Sequence, residues 1–137
     1  MAAVNASLAR QVRERAGNRC EYCRMGQVFE RSTYEIDHII SRKHRGPTTA
    51  GNLALSCAHC NVFKGSDIAG RDPKTGKLTP FFNPRRHKWT RYFVWEGPYL
   101  RGRTAIGRVT VAVLQINHVF RVELREWLIE EGVFPTG

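Results

Sequence analysis

The chain has 137 residues, 42% of them hydrophobic, which predicts one domain with a modest core. Its 22 Lys and Arg against 12 Asp and Glu leave a net charge of +10, and a field of this sign attracts polyanions, above all nucleic acid. No apolar run approaches the roughly 20 residues that cross a bilayer, and the first residues lack the apolar core of a signal peptide. We therefore expect no membrane association and a reducing, cytoplasmic location.

The first predicted element is a helix from Asn5 to Arg15, capped by Asn5 or Ser7, with its arginines facing water and its end at Gly17. A strand is predicted from Tyr34 to Ile40. The next elements are a loop, a second strand and a short helix: Ser41 to Gly51, Leu53 to Ser56 and Ala58 to about Phe63. Two strands and a helix in this order would gather the polar residues between them in one place.

Residues 65–87 are rich in turn residues, and we predict loops there. Trp89 to Trp95 is predicted as a strand with its aromatic residues on one side. Gly107 to Ile116 fits both strand alternation and a helical repeat, and the length of the run favours a helix. A final helix is predicted from Val119 to Glu131 with Asn117 as its cap. Its apolar stripe consists of Phe120, Leu124, Trp127 and Leu128.

The four cysteines form two C-x-x-C pairs with none left over: Cys20 and Cys23, then Cys57 and Cys60. In a reducing compartment this arrangement favours tetrahedral coordination of one structural Zn²⁺ over disulfides. A redox dithiol is the alternative, but it would not need a second pair. Residues 24–56 lie between the two pairs, so the insert between two zinc knuckles carries an Asp-His dipeptide.

Asp37 and His38, together with Asn52 and Asn61, supply groups that suit hydrolysis of a phosphodiester. A neutral imidazole can take a proton from water near neutral pH, which makes His38 the candidate general base. Asp37 and Asn61 offer hard oxygen ligands for a catalytic Mg²⁺ or Mn²⁺. Asn52 can bind a backbone carbonyl across the loop and orient His38. Strand alternation places Asp37 and His38 on opposite faces, so a shared site requires a strand end or a bend.

The combined pattern resembles the HNH endonuclease family in its zinc-stapled form over about residues 18–66. The matching elements are C-x-x-C, D-H-I, G-x-x-x-x-x-N-L and C-x-x-C-N-x-x-K, here Cys20 and Cys23, Asp37-His38-Ile39, Gly46 with Asn52-Leu53, and Cys57, Cys60, Asn61 and Lys64. The resemblance implies a ββα-metal fold that enters the DNA minor groove. It implies His38 as the general base and Asn52 as its orienter. It also implies Asp37 and Asn61 as ligands of the catalytic metal.

This sequence departs from the family pattern at one position: the final His of the H-N-H motif is replaced here by Asn61. This departure leaves the metal preference open. Two later stretches, Gly70 to Gly76 and Phe82 to Arg85, are similar to the G-x-D-P-x-T-G and F-N-P-R elements of small stand-alone members. The expected fold is therefore α+β: a zinc-bearing ββα-metal finger, an N-terminal helix, and a C-terminal strand and helix extension over residues 67–137, in a single domain over 1–137.

Cations near the Asp-His strand are predicted to bind phosphates of the partner, which we expect to be double-stranded DNA. They are Arg42, Lys43, Arg45 and Lys64. Basic residues from 85 to 91 interleave with aromatic residues from 89 to 95. That pattern fits a nucleic-acid platform, but we favour aromatic residues in the core and arginines in solvent.

The leading hypothesis is a metal-dependent endonuclease that hydrolyses DNA phosphodiester bonds. The alternative is a catalytically inactive, zinc-bearing nucleic-acid binding module, which would have no reason to keep both Asp37 and His38. A zinc scaffold for protein contacts is a third hypothesis, and the net charge of +10 disfavours it.

Overall fold

The computed structural model describes residues 4–135 and has the α+β fold expected from the sequence. Backbone contacts divide the chain into two compact units. Unit 1 contains Met1–Ile68 and Asn83–His87, and unit 2 contains Ala69–Phe82 and Lys88–Gly137. The expectation of one domain over the entire chain stays a prediction. None of the described helices is long and apolar enough to cross a membrane.

Unit 1 begins with helix α1 (Ala6–Ala16), which starts and ends where the sequence predicts. The side chain of Asn5 accepts a hydrogen bond from the backbone N–H of Leu8 at 2.8 Å, which caps the first turn. Gly17 ends the helix in the left-handed conformation that favours glycine. Val12 is fully buried and provides the main core contact of α1.

Two arginines of α1 bind backbone carbonyls: Arg15 is exposed, as predicted, whereas Arg13 is half-buried. Arg13 donates to the backbone carbonyl of Tyr34 at 2.9 Å, and Arg15 donates to that of Leu53 at 2.6 Å. Hydrogen bonds from a charged donor are stronger than neutral ones. These two bonds therefore attach α1 to the segments that carry the candidate site.

Strands β1 (Glu35–His38) and β2 (Leu53–Ser56) form an antiparallel pair in which His38 lies opposite Leu53. All of β2 is buried, whereas within β1 only Asp37 is buried. His38 is the last residue of β1. The Asp-His pair therefore lies at a strand end, as a shared site requires.

Helix α2 (Ala58–Lys64) follows β2 directly and completes the predicted ββα arrangement. Cys57 is its N-cap, and its sulfur accepts from the backbone N–H of Cys60 at 3.3 Å. Cys60 and Lys64 are the buried residues of this short helix. One turn of α2 therefore joins the thiol cluster to the Asp-His strand end.

The segment between β1 and β2 contains two short 3₁₀ turns, Arg42–His44 and Ala50–Asn52, where only a loop was predicted. Gly46 lies between them, under the backbone of Ile40. A Cβ atom at Gly46 would lie 1.6 Å from the carbonyl oxygen of Ile40 and 2.8 Å from Nδ2 of Asn52. The path of this loop therefore requires glycine at this position.

The second piece of unit 1, Asn83–His87, is held against the first cysteine pair. Arg85 forms an ion pair with Oε1 of Glu21. The other carboxylate oxygen of Glu21 accepts from the backbone N–H of Leu55 at 2.8 Å. Arg85, in the F-N-P-R element, is therefore half-buried in a contact within unit 1, contrary to the expectation that the arginines of this stretch lie in solvent.

Unit 2 begins with an antiparallel hairpin of β3 (Ala69–Arg71) and β4 (Leu78–Pro80), where the sequence predicted loops alone. Asp72 organises its turn: it accepts from the backbone N–H of Lys74 and the hydroxyl of Thr75. Both of its carboxylate oxygens also accept from Arg108, at 3.0 and 2.9 Å. These contacts explain the G-x-D-P-x-T-G element as a turn with a buried carboxylate at its centre.

The predicted strand from Trp89 to Trp95 is correct only in its second half. Its first residues form a single helical turn, α3 (Trp89–Tyr92), followed by β5 (Phe93–Glu96), which pairs antiparallel with β6 (Tyr99–Gly102). Trp89 and Phe93 are buried, with ring centroids 5.1 Å apart. The favoured interpretation of the aromatic residues as core is therefore correct for Trp89 and Phe93, whereas Tyr92 and Trp95 are half-buried.

Helix α4 (Ala105–Val113) confirms the helical prediction, and Thr104 caps it. Helix α5 (Val119–Glu130) is also confirmed, but its cap is His118 and not Asn117. Asn117 instead accepts from the backbone N–H of Leu100 and donates to its carbonyl, both at 2.9 Å. The amide of Asn117 therefore binds both backbone groups of Leu100 and fixes the segment before α5 to strand β6.

The predicted apolar stripe of α5 is wrong at two of its four residues, while Leu124 and Leu128 are half-buried. Phe120 and Trp127 are 69% and 73% exposed, whereas Val122 and Arg125 are buried. The guanidinium of Arg125 donates to the carbonyls of Pro98 and Ile116. Hydrogen bonds from two of its three guanidinium nitrogens offset the cost of burying Arg125, and the helix is therefore oriented differently from what hydrophobicity alone predicts.

Candidate functional site

The four cysteines are buried and form one cluster in which the sulfur atoms all lie within 4.8 Å of one another. Sγ of Cys23 and Sγ of Cys57 are 3.8 Å apart. A tetrahedron with Zn–S distances of about 2.3 Å has S–S edges of about 3.8 Å. In both pairs a backbone N–H donates to sulfur, from Cys23 to Cys20 at 3.5 Å and from Cys60 to Cys57 at 3.3 Å. This donor set fits one structural Zn²⁺.

The electrostatics of the cluster agree with a cation at its centre. Neighbouring thiols raise the pKa of Cys57 and of Cys60, since a thiolate among sulfur atoms has no opposite charge nearby. A bound Zn²⁺ supplies that charge and keeps the thiols deprotonated. The cluster also links Cys20 and Cys23, before β1, to the first turn of α2.

A cavity of about 300 Å³ opens at the end of β1. Asp37, His38 and Asn61 all line it, so the structure brings together three of the four residues predicted to be catalytic. Arg42 and Lys43 line the same cavity. One cavity therefore combines a carboxylate, an imidazole, an amide and two cations.

Asp37 is 6% exposed and has two partners that the sequence did not pair with it. The hydroxyl of Tyr22 donates to Oδ2 at 2.7 Å, and Nζ of Lys64 lies 3.2 Å from the same oxygen. Burial raises the pKa of Asp37, and the ammonium of Lys64 and the hydroxyl of Tyr22 oppose that increase. Burial and the nearby carboxylate raise the pKa of Tyr22, so its hydroxyl stays protonated and donates.

His38 is partly exposed, and its Nε2 lies 2.9 Å from the hydroxyl oxygen of Thr48. Among the described residues its other ring nitrogen, Nδ1, has no hydrogen-bond partner. Burial lowers the pKa of His38; the charges of Arg42 and Lys64 lower it further, and Asp37 opposes them. The imidazole is therefore biased towards its neutral form, which can accept a proton.

Asn52, the fourth predicted residue, does not line the cavity but fixes the loop that surrounds it. Its Oδ1 accepts from the N–H of Ile40 at 2.9 Å, and its Nδ2 donates to the carbonyls of Ile40 and Pro47. Ile40 lies two residues after His38, and Pro47 precedes Thr48. Asn52 therefore holds both the backbone next to His38 and the backbone next to its hydroxyl partner.

Lys64 was predicted to bind phosphates of nucleic acid, but it is 1% exposed, so its ammonium is not accessible from the surface. Its Nζ donates to the backbone carbonyl of His38 at 3.1 Å, in addition to its contact with Asp37. The other predicted phosphate contacts, Arg42, Lys43 and Arg45, are exposed. Buried Lys64 is thus a structural cation of the site, and the exposed loop carries the remaining charges.

Tyr22 and Thr48 are the two residues of the site that sequence reasoning missed. Tyr22 lies inside the first C-x-x-C pair, and Thr48 lies in the Gly-Pro-Thr-Thr loop. The only signal for Tyr22 in the sequence is its position between two predicted zinc ligands, which places its phenol near the elements that the cysteine cluster holds together. For Thr48 the sequence carries no signal, because its partner is 10 residues away across a loop.

Comparison with known proteins confirms the resemblance noted in the sequence. Residues 20–67 match the family model described as HNH endonuclease. The chain is also similar to the Septu protein PtuB of Bacillus thuringiensis, with 26% identity over 125 residues, which is 90% of this chain. The chain spans 46% of that protein's length. No solved structure is significantly similar to this chain. These matches indicate a nuclease or another function on nucleic acid.

Proposed function

We propose that the chain is a metal-dependent endonuclease that hydrolyses DNA phosphodiester bonds in the cavity at the end of β1. The family match over residues 20–67 supports this activity. The observation that carries the proposal is the shared cavity, where His38 lies beside the carboxylate of Asp37 and the amide of Asn61. A binding module has no need for this combination.

His38 acts as the general base in this proposal. When Nε2–H donates to Thr48, the lone pair of Nδ1 is available to take a proton from water. The lowered pKa of His38 keeps the ring neutral at physiological pH, which a base requires. Asn52 and Thr48 are positioning residues, because they fix the loop and the ring orientation without touching the substrate.

Asp37 and Asn61 would hold the catalytic Mg²⁺ or Mn²⁺, since carboxylate and amide oxygens are hard ligands of the kind these ions prefer. When bound, the ion would neutralise charge on the scissile phosphate and on the leaving oxygen. Tyr22 fixes one oxygen of Asp37 through its hydrogen bond. The direction in which the carboxylate faces the cavity is therefore determined by the protein.

Affinity for double-stranded DNA comes, in this proposal, from the exposed cations Arg42, Lys43 and Arg45. Contacts with phosphates release counterions, so binding weakens steeply with salt and depends little on sequence. The proposal includes a cytoplasmic location, where reduced thiols keep the four cysteines available for Zn²⁺.

One contact favours the alternative of an inactive nucleic-acid binding module. Nζ of Lys64 lies 3.2 Å from Asp37 and already supplies a positive charge to the carboxylate. If that ion pair persists with DNA bound, Lys64 stands in for the metal ion and no cleavage occurs. The two hypotheses differ in a single measurable property, which is turnover.

The test is incubation of purified, zinc-loaded protein with supercoiled plasmid in Mg²⁺, Mn²⁺ or chelator. We expect nicking that requires the added ion, and a decrease of roughly 10²–10⁴-fold for His38→Ala, the usual contribution of a positioned base. Thr48→Val should cause a smaller decrease, and Thr49→Val, its exposed neighbour, none. Absence of nicking by the wild type, with DNA binding retained, would establish the alternative. Cleavage by folded His38→Ala at the wild-type rate would exclude His38 as the base.

A further inference from the structure

Unit 2 contains a cavity of its own, with a volume of about 620 Å³. It is larger than the cavity at the end of β1, whose volume is about 300 Å³. All of its lining residues come from unit 2, from the turn after β3, the β5–β6 hairpin, α4 and the segment before α5. A volume of this size lies in the range of small-molecule sites.

The walls of the cavity are held rigidly. Gly102 in β6 lies so close to α4 that a Cβ atom there would be 2.2 Å from the backbone nitrogen of Arg108. Leu100, which is 2% exposed, has both backbone groups bound by Asn117. Val111 and Ala112 of α4 add apolar lining. The cavity therefore has a preformed shape and an apolar floor.

Its rim carries an excess of positive charge from four side chains, Lys74, Arg101, Arg103 and Arg108. Arg108 is neutralised by the buried Asp72, and Arg101 pairs with Glu96 at 2.9 Å. Within residues 4–135, Lys74 and Arg103 have no carboxylate partner; one guanidinium nitrogen of Arg103 donates to the backbone carbonyl of Thr90 at 3.2 Å. Two cations on one rim are thus available to an anionic ligand.

An exposed aromatic ring accompanies these cations. Tyr99 is 52% exposed and lines the same cavity as Lys74 and Arg103. A planar ring in the same cavity as cations without a carboxylate partner suits a ligand that has both a π-face and a phosphate. An acidic peptide would use the cations but would leave Tyr99 without a role.

We propose that this cavity binds a nucleotide, with its phosphate on Lys74 and Arg103 and its base against Tyr99. The ligand is either a free nucleotide or one nucleotide of a nucleic-acid strand, since both present the same groups. The site is separate from the cavity at the end of β1 and does not depend on the proposed cleavage activity. It assigns a binding role to residues of unit 2 that the sequence analysis did not single out.

The test measures binding to the zinc-loaded full chain carrying His38→Ala, without added Mg²⁺ or Mn²⁺. The probes are a fluorescent ATP analogue, a labelled single-stranded oligonucleotide, inorganic phosphate and a Glu-rich peptide. Two variants remove the proposed contacts: Lys74→Glu combined with Arg103→Glu, and Tyr99→Ala. The matched control combines Lys77→Glu with Arg91→Glu, which makes the same charge change at exposed residues of unit 2 outside the cavity.

We expect the ATP analogue or the oligonucleotide to lose roughly tenfold or more in affinity in both cavity variants, and much less in the control. Tyr99→Trp should retain binding, because it keeps an aromatic ring at the same position. Loss for the ATP analogue identifies a free nucleotide as the ligand, and loss for the oligonucleotide alone identifies a strand. Three results would overturn the proposal: equal losses in the control, an unchanged affinity in Tyr99→Ala, or binding of phosphate or peptide only. Thermal unfolding of each variant checks that unit 2 stays folded.

Discussion

The ammonium of Lys64 lies 3.2 Å from the carboxylate of Asp37, and the two side chains are 1% and 6% exposed. A buried ion pair contributes little net stability relative to an apolar pair, but removal of one partner leaves the other charge buried without compensation. The carbonyl of His38 also accepts from Lys64, so the same cation holds the end of β1. The stability of unit 1 and the shape of the candidate site therefore depend on one lysine.

Substitution Lys64→Met should destabilise the protein by about 3–5 kcal/mol, the typical cost of an unpaired buried charge. Chemical denaturation monitored by circular dichroism measures this loss. Lys43→Met, an exposed lysine of the same site, is the control and should change stability by less than about 0.5 kcal/mol. The double variant Asp37→Asn with Lys64→Met should recover part of the loss. If Lys64→Met matches the control, the ion pair is not a determinant of stability.

Cleavage should depend on pH through His38, whose pKa is lowered by burial and by the charges of Arg42 and Lys64. A general base works in its neutral form, so activity is retained above the pKa and lost as pH falls through it. Because the pKa is lowered, the midpoint of this acidic limb should lie below 6.5, the ordinary value of histidine. Measurement of kcat/KM from pH 5 to 8 gives the midpoint.

The contribution of Arg42 to the acidic limb of the pH profile can be measured by comparing variants of Arg42 and of a second arginine in the same loop. Arg42→Gln removes a charge that lowers the pKa of His38, so its acidic limb should move to higher pH. Arg45→Gln, in the same loop, has no such interaction with His38 and should leave the limb unchanged. Identical profiles for the two variants would contradict the electrostatic explanation.

Gly46 should tolerate no side chain. In Gly46→Ala the new Cβ would lie 1.6 Å from the carbonyl oxygen of Ile40, which is backbone and cannot rotate away. We expect a loss of roughly 1–3 kcal/mol or more, the cost of overpacking, and a loss of the hydrogen bonds of Asn52. Gly51→Ala is the matched control, since a Cβ there meets nothing within 4 Å. Equal thermal stability of the two variants would mean that the loop follows a different path.

One Zn²⁺ per chain should copurify with the protein and be essential for the fold of unit 1. Cys57→Ser removes one of the four sulfur atoms and also the cap of α2. Elemental analysis should find about one zinc ion in the wild type and a reduced content in the variant. Loss of cooperative unfolding should accompany the loss of metal, because binding of zinc contributes directly to folding. Folded wild-type protein without zinc and with two disulfides would refute this prediction.

The sequence alone predicted the main elements of the four-cysteine ββα unit. Its elements are short and bounded by strong local signals, namely two C-x-x-C pairs, the Asp-His dipeptide and the turn at Gly46. The residues predicted to share a site lie close to those signals, so local geometry brings Asp37, His38 and Asn61 to one cavity. The cap and the end of α1 were predictable for the same reason, since each depends on one residue and its immediate neighbours.

Only the tertiary structure decided which charged side chains are buried. The amphipathic pattern of α5 favoured burial of Phe120 and Trp127, but Arg125 is buried in their place and donates to backbone carbonyls distant in sequence. Lys64 follows the same logic, because its partner Asp37 lies 27 residues earlier and its burial is stable only with that partner. Hydrophobic periodicity reflects the average free-energy cost of burying each type of side chain. A specific partner distant in sequence changes that cost for one residue. No pattern of residue types along the chain shows where such a partner will lie.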